Sequence, residues 1–182
     1  MRNLTPVTAA DLATLACPYC GTTLPADAEW VARSIQAWGL CGWRVPGRQG
    51  TDALIVLTPA HAEPSAALIK RLWVAPGATG RGLGRRLIQS TAASLKSSST
   101  TAILSRGSRA HPTCASPPKE FLREVGFTRQ LDERLYRLDL NRTVSGRNPL
   151  QTLLEKVAEV LQPSPGEPAA GLSPRAIRRG EL

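Results

Sequence analysis

The chain has 182 residues, of which 42% are hydrophobic and 20% charged, and it carries a formal net charge of +9. That length accommodates one domain with a sizeable core and is short for two, while the composition excludes wholesale disorder. No window approaches the roughly 18 apolar residues that span a bilayer, and the opening MRNLTPVTAADLATL lacks the apolar run of a secretory leader; a cytoplasmic protein with no membrane partner is expected.

In chain order, TAADLATLA predicts a short helix capped by Thr8. DAEWVARSIQAWG predicts a stronger one, with Ala28, Val31, Ile35 and Trp38 on one stripe and Gly39 as its stop. CGWRV and TDALIVLTP read as strands joined by PGRQG, and SAALIKRLWVAP as a long third strand ended by Pro76. From Leu83 the period becomes helical, with Leu83, Leu87, Ile88 and Leu95 on one face up to about Lys96. SSSTTAILS is a polar turn entering a short strand. KEFLREVGF is a short helix with Phe121, Leu122 and Val125 inward and Gly126 as its stop, and LDERLYRLDL closes the domain as a strand. The expected division is a domain over residues 1–140, an amphipathic helix over 141–162 containing NPLQTLLEKVAEVLQ, and a disordered tail over 163–182.

The positive charge is concentrated. Nine basic residues and no acidic one lie between Pro64 and Lys119, and that block contains VAPGATGRGLGRRL, from Val74 to Leu87. Such a field attracts phosphate groups, although a solvated basic face has the same composition. GATGRG has the glycine spacing of a P-loop, but Leu83 stands where the lysine is needed; Gly80 and Gly82 begin a dinucleotide turn, but Arg85 stands at its third glycine. What remains is a strand ending in Val-x-Pro and a glycine turn opening an amphipathic helix. Backbone N–H groups of a helix's first turn bind phosphate, glycines let the ligand come close, and flanking arginines add charge-assisted contacts.

This arrangement resembles the GNAT superfamily of N-acetyltransferases, whose acyl-CoA motif [QR]-x-x-G-x-[GA] is in register with TGRGLG from Thr79 to Gly84. The resemblance covers about Leu4 to Leu140, with FLREVGF in the place of the family's FY-x-x-x-GF segment. It implies an α+β fold with a mixed, mostly antiparallel central sheet and helices on both faces. It also implies acetyl-CoA as co-substrate, its pyrophosphate on the amides of Thr79, Gly80, Arg81, Gly82, Leu83, Gly84 and Arg85 and its pantetheine along Leu72, Trp73 and Val74. The expected reaction is direct attack of a primary amine on the thioester, with a backbone N–H of Val74 polarising the carbonyl oxygen and no metal required. Thr79 replaces the family's Gln or Arg, and Leu122 stands where many members carry the tyrosine that protonates the departing thiolate. Cys114, His111 and Tyr19 are the loop residues available for acid–base work, Cys114 being the one assigned.

The four cysteines supply the competing reading. CPYCG, from Cys17 to Gly21, looks like half of a zinc ribbon without its second C-x-x-C, so a metal site would need Cys17, Cys20, Cys41 and Cys114 to converge. Free thiols and no metal are the expectation. The alternatives kept open are a catalytically inert CoA-binding domain and a zinc-ribbon module that binds nucleic acid or protein through the basic face. Nucleic acid is not the expected partner, and a homodimer is compatible with the pattern.

Overall fold

The computed structural model describes residues 4–48, 50–132 and 134–141. Its elements are β1 (Thr5–Val7), α1 (Ala9–Leu12), α2 (Glu29–Trp38), β2 (Gly42–Gly47), β3 (Gly50–Pro59), β4 (Ala66–Val74), α3 (Leu83–Lys96), β5 (Ala102–Arg106), α4 (Lys119–Glu124), β6 (Thr128–Arg129) and β7 (Leu135–Asp139). The amphipathic helix and tail expected over 141–162 and 163–182 lie outside the described residues, apart from Asn141. Among the described residues no helix is long and apolar enough to cross a membrane.

The strands form one sheet in the order β1-β2-β3-β4-β5-β7-β6. All neighbours are antiparallel except β4 and β5, which α3 joins as a crossover. Strand β3 shows why both faces are covered. Its residues alternate sides, as the two-residue period requires: Ala53, Ile55 and Leu57 pack with Leu87, Ile88 and Leu95 of α3, whereas Leu54 and Val56 pack with Leu12 of α1 and Val31 of α2. The result is a mixed, mostly antiparallel α+β sheet with helices on both faces.

Three local expectations change. The described residues open with an edge strand before α1; a three-residue strand containing Pro6 has no periodicity to read, and Pro is tolerated at a sheet edge. The closing strand is half of a hairpin, because Thr128 and Arg129 pair with Arg137 and Tyr136. Helix α2 is rotated relative to the expected stripe: Val31 and Ser34 are buried, whereas Ile35 is 41% exposed. Ser34 takes the inward position because its hydroxyl lies 2.7 Å from the Trp30 carbonyl and 3.0 Å from the Leu57 carbonyl of β3. A Ser34→Ala variant leaves the Leu57 carbonyl without that donor and is expected to lose about 1 kcal/mol of stability, read from urea unfolding.

Helix α1 is held by its start. The Thr8 N–H and hydroxyl both donate to Asp11 Oδ2, at 2.9 and 2.8 Å, and Arg44 Nη2 lies 3.5 Å from Asp11 Oδ1. These contacts, the Thr8 N–H foremost, hold the Asp11 carboxyl below the usual carboxylate range. A lowered folded-state pKa gives stability that is present above the ordinary carboxylate value and lost as pH falls through the lowered one. Asp11→Ala is therefore expected to cost about 1 kcal/mol near neutrality. As pH falls below that lowered value, thermal unfolding should no longer separate the variant from the parent.

Candidate functional site

Strands β4 and β5 pair over only three residues, Ala66–Leu68 against Ala102–Leu104. Beyond Leu68 they part, and the C-terminal half of β4 borders a cleft of about 420 Å³. Its wall is Leu72, Trp73 and Val74 of β4, Tyr19 from the CPYC turn, the Pro112–Cys114 segment, and Phe121 of α4. The lining is largely apolar, so the few polar groups that reach it carry the specificity.

Backbone alternation decides which β4 groups face this cleft. Ala75 N–H bonds to the Asp52 carbonyl, which turns Trp73 and Ala75 toward β3 and Leu72 and Val74 the other way. Leu72 N–H is already taken by the Cys114 carbonyl at 2.7 Å, and the Val74 carbonyl accepts the Tyr19 hydroxyl at 2.6 Å. The Val74 N–H, on the same side as its carbonyl, is directed at the cleft. Of the three β4 residues read as pantetheine contacts, Leu72 thus contributes its side chain and Val74 its backbone. Trp73 is 5% exposed, with its ring against the α1–α2 face and an indole N–H that has no partner among the described residues.

A second cavity, of about 370 Å³, adjoins the first and shares Val74, Thr79, Gly84 and Phe121 with it. It lies over the glycine-rich turn and brings Thr79, Gly80, Gly82, Leu83, Gly84 and Arg85 together; Arg81 lies outside its lining, exposed and 3.9 Å from Asp52. Gly80 and Gly82 have φ of 72° and 70°, left-handed values that a side chain resists, and Gly82 caps α3. The first bond inside the helix is Arg86 N–H to the Gly82 carbonyl. The N–H groups of Leu83, Gly84 and Arg85 therefore lie in the first turn, beyond the reach of intrahelical acceptors, where the helix dipole adds to their pull on an anion. No acidic residue occupies that turn.

Position 122 faces inward, as its spacing predicts. Leu122 is fully buried in the core with Tyr136 and Leu138 and does not line the cleft, whereas its neighbour Phe121 does. A hydroxyl placed on residue 122 would point into the hydrophobic core. A tyrosine hydroxyl does reach the cleft, that of Tyr19, which bonds to the Val74 carbonyl across a sequence separation of 55 residues. His111 is exposed and outside the cleft lining.

The cysteines divide three and one. The sulfurs of Cys17, Cys20 and Cys114 all lie within 4.8 Å of one another, with Cys20 and Cys114 at 3.7 Å. Cys41 is fully buried elsewhere in the core and does not join them, so the four-cysteine set reduces to three. The CPYC turn is shaped by Gly21 N–H bonding to the Cys17 carbonyl and Cys17 N–H to the Thr22 carbonyl. Arg71 of β4 then clamps the turn, donating to the Thr22 carbonyl at 2.6 Å and its hydroxyl at 2.9 Å. Hydrogen bonds from the Thr22 hydroxyl and backbone bring the Cys20 thiol down to about 6, while burial, and then contact with Cys17 and Cys20, pushes Cys114 up to about 12.

No protein-family model matches the chain, and no curated protein matches its sequence. Solved structures do match its fold. The ribosomal-protein-S18-alanine N-acetyltransferase from Escherichia coli is similar with a TM-score of 0.53 and 14% identity, over 77% of this chain and 94% of that one. A GNAT family N-acetyltransferase from Escherichia coli, solved in complex with CoA, gives a TM-score of 0.52 and 14% identity over 76% and 81%. Ard1 from Thermoplasma volcanium gives 0.52 and 11% over 74% and 93%. On these similarities, the chain has the fold of the GNAT N-acetyltransferases.

Proposed function

We propose that the protein transfers an acetyl group from acetyl-CoA to a primary amine by direct attack on the thioester. The observation that carries this reading is the junction of two cavities: one over the glycine-capped start of α3 at Gly82–Arg85 shares Val74, Thr79, Gly84 and Phe121 with the apolar cleft along β4. In this reading the pyrophosphate rests on the amides of the first turn of α3 and the acyl group lies against β4. The relative solved with CoA supports the choice of ligand.

The chemistry needs little from side chains. As the amine nitrogen bonds to the carbonyl carbon, negative charge develops on the oxygen, and the Val74 N–H stabilises it. One such donor is worth about 3 kcal/mol in other acyl-transfer enzymes. Holding amine and thioester in one apolar cleft removes much of the entropic barrier. When the C–S bond breaks, the Tyr19 hydroxyl supplies the proton the thiolate takes up, and the proton released by the amine returns through solvent to the tyrosinate. Tyr19 holds this role in place of Leu122 because its hydroxyl donates to the carbonyl of Val74, the residue whose N–H is the oxyanion donor.

Calorimetric titration with acetyl-CoA tests the core of this reading. Saturable binding is expected, and none at millimolar ligand would remove the assignment. Release of free CoA thiol across a panel of primary amines then measures transfer, with a rate above that of hydrolysis alone as the expected result.

A further inference from the structure

The cysteine cluster plays no part in acetyl transfer as described above, yet it is built from two distant segments and held in place. We infer that Cys17, Cys20 and Cys114 bind one zinc ion that ties the CPYC turn to the segment before α4. Three sulfurs converge, which distinguishes the arrangement from a lone reactive cysteine or a simple pair. A tetrahedral zinc–thiolate centre with bonds near 2.3 Å has sulfur–sulfur edges of about 3.8 Å. The Cys20–Cys114 separation of 3.7 Å is that edge, and it is far longer than a disulfide bond of about 2 Å.

The supporting contacts are also those of a fixed site. The Cys114 carbonyl is held by Leu72 N–H, and the turn carrying Cys17 and Cys20 is held by the Arg71 fork on Thr22, so β4 positions both halves. Cys17 is buried and Cys20 exposed, giving a closed floor and an entry side. A donor set made only of thiols selects soft or borderline ions, of which zinc does not redox-cycle. Each thiol releases its proton to solvent as it binds, and water takes the fourth position.

The location gives the ion its purpose. Tyr19 lies between two of the ligands, and Cys114 is itself part of the cleft wall. Zinc would therefore fix the part of the cleft wall that carries Tyr19 and Cys114, and with it the shape of the acceptor site; this consequence, unlike the binding itself, rests on the proposed acetyl transfer.

The test uses the full chain purified under reducing conditions without chelator. About one zinc per chain is expected by elemental analysis, together with competition against a chromogenic zinc indicator. Replacing the ion with cobalt should give the charge-transfer bands of tetrahedral thiolate ligation. Cys20→Ser, at an exposed position that folding tolerates, should abolish both signals; Cys41→Ala should keep them. Zinc removal is expected to lower Tm by about 5–10 °C. The amine KM should rise while affinity for acetyl-CoA stays within about twofold. Failure of the reduced protein to take up zinc, or zinc retained at full affinity by Cys20→Ser, would overturn the inference. Because metal content is read without CoA or amine, loss of the acetyltransferase assignment would leave that result standing.

Discussion

Affinity for acetyl-CoA is expected to fall about 100-fold or more when Gly82 is replaced by glutamate, a loss on the order of 3 kcal/mol. Two effects add. A carboxylate at the cap of α3 faces the same N–H groups as the pyrophosphate, and charges about 4 Å apart at a protein surface interact by several kcal/mol. The left-handed φ of 70° also strains any side chain, at roughly 1–2 kcal/mol. A Cβ at Gly82 meets no atom within 4 Å, so the substitution has room and the chain should still fold. Gly82→Ala separates the two effects, because it carries the strain without the charge and should weaken binding by about tenfold at most. Calorimetry on the three proteins checks this, and equal affinity in parent and glutamate variant would move the phosphate site away from α3.

Loss of the Tyr19 hydroxyl is expected to act on the rate and not on cofactor binding. In Tyr19→Phe the ring still lines the cleft, so acetyl-CoA affinity should remain within about twofold, whereas kcat should drop about 100-fold for want of a positioned proton donor. The Val74 carbonyl needs no replacement donor from the protein, since that oxygen borders an open cleft that water reaches. Steady-state kinetics with the best amine separates the outcomes: a raised amine KM at unchanged kcat would make Tyr19 a wall of the acceptor site, with no proton to give. A Leu122→Tyr variant should not restore the rate, because residue 122 is directed into the core.

The two predictions rest on parts of the chain that were unequally legible. The turn at Gly80 and Gly82 could be read directly because a helix start is local: its N–H groups, its positive φ values and its neighbouring arginines all fall within a few residues. The long β4 and the amphipathic α3 were legible for the same reason, since strand and helix periods are written in consecutive side chains. Ser34 was missed on α2 because hydrophobic spacing has no term for a hydroxyl that satisfies carbonyls of its own helix and of the sheet. The signal available was a small polar residue three positions after Val31, on the flank of the apolar stripe.

Position 122 shows the limit of a motif in register. FLREVGF placed a leucine where a tyrosine was sought, and the short helix α4 then turned Leu122 into the core and Phe121 into the cleft. The spacing had put Phe121 and Leu122 both inward; packing against Tyr136 and Leu138 keeps Leu122 in the core as read, and what the spacing does not state is that Phe121 borders the cleft.

By itself, then, the sequence determined the main strands and helices and the glycine turn that opens α3, because each is specified by contacts a few residues apart; the α+β class came with the resemblance that the turn carries. Tertiary structure alone decided that β4 parts from β5 after Leu68, that Val74 and not Leu72 keeps its N–H toward the gap, that Tyr19 reaches the Val74 carbonyl, and that three of four cysteines meet. Those contacts join residues tens of positions apart, and the strand pairing and loop closure that bring them together leave no period in the chain.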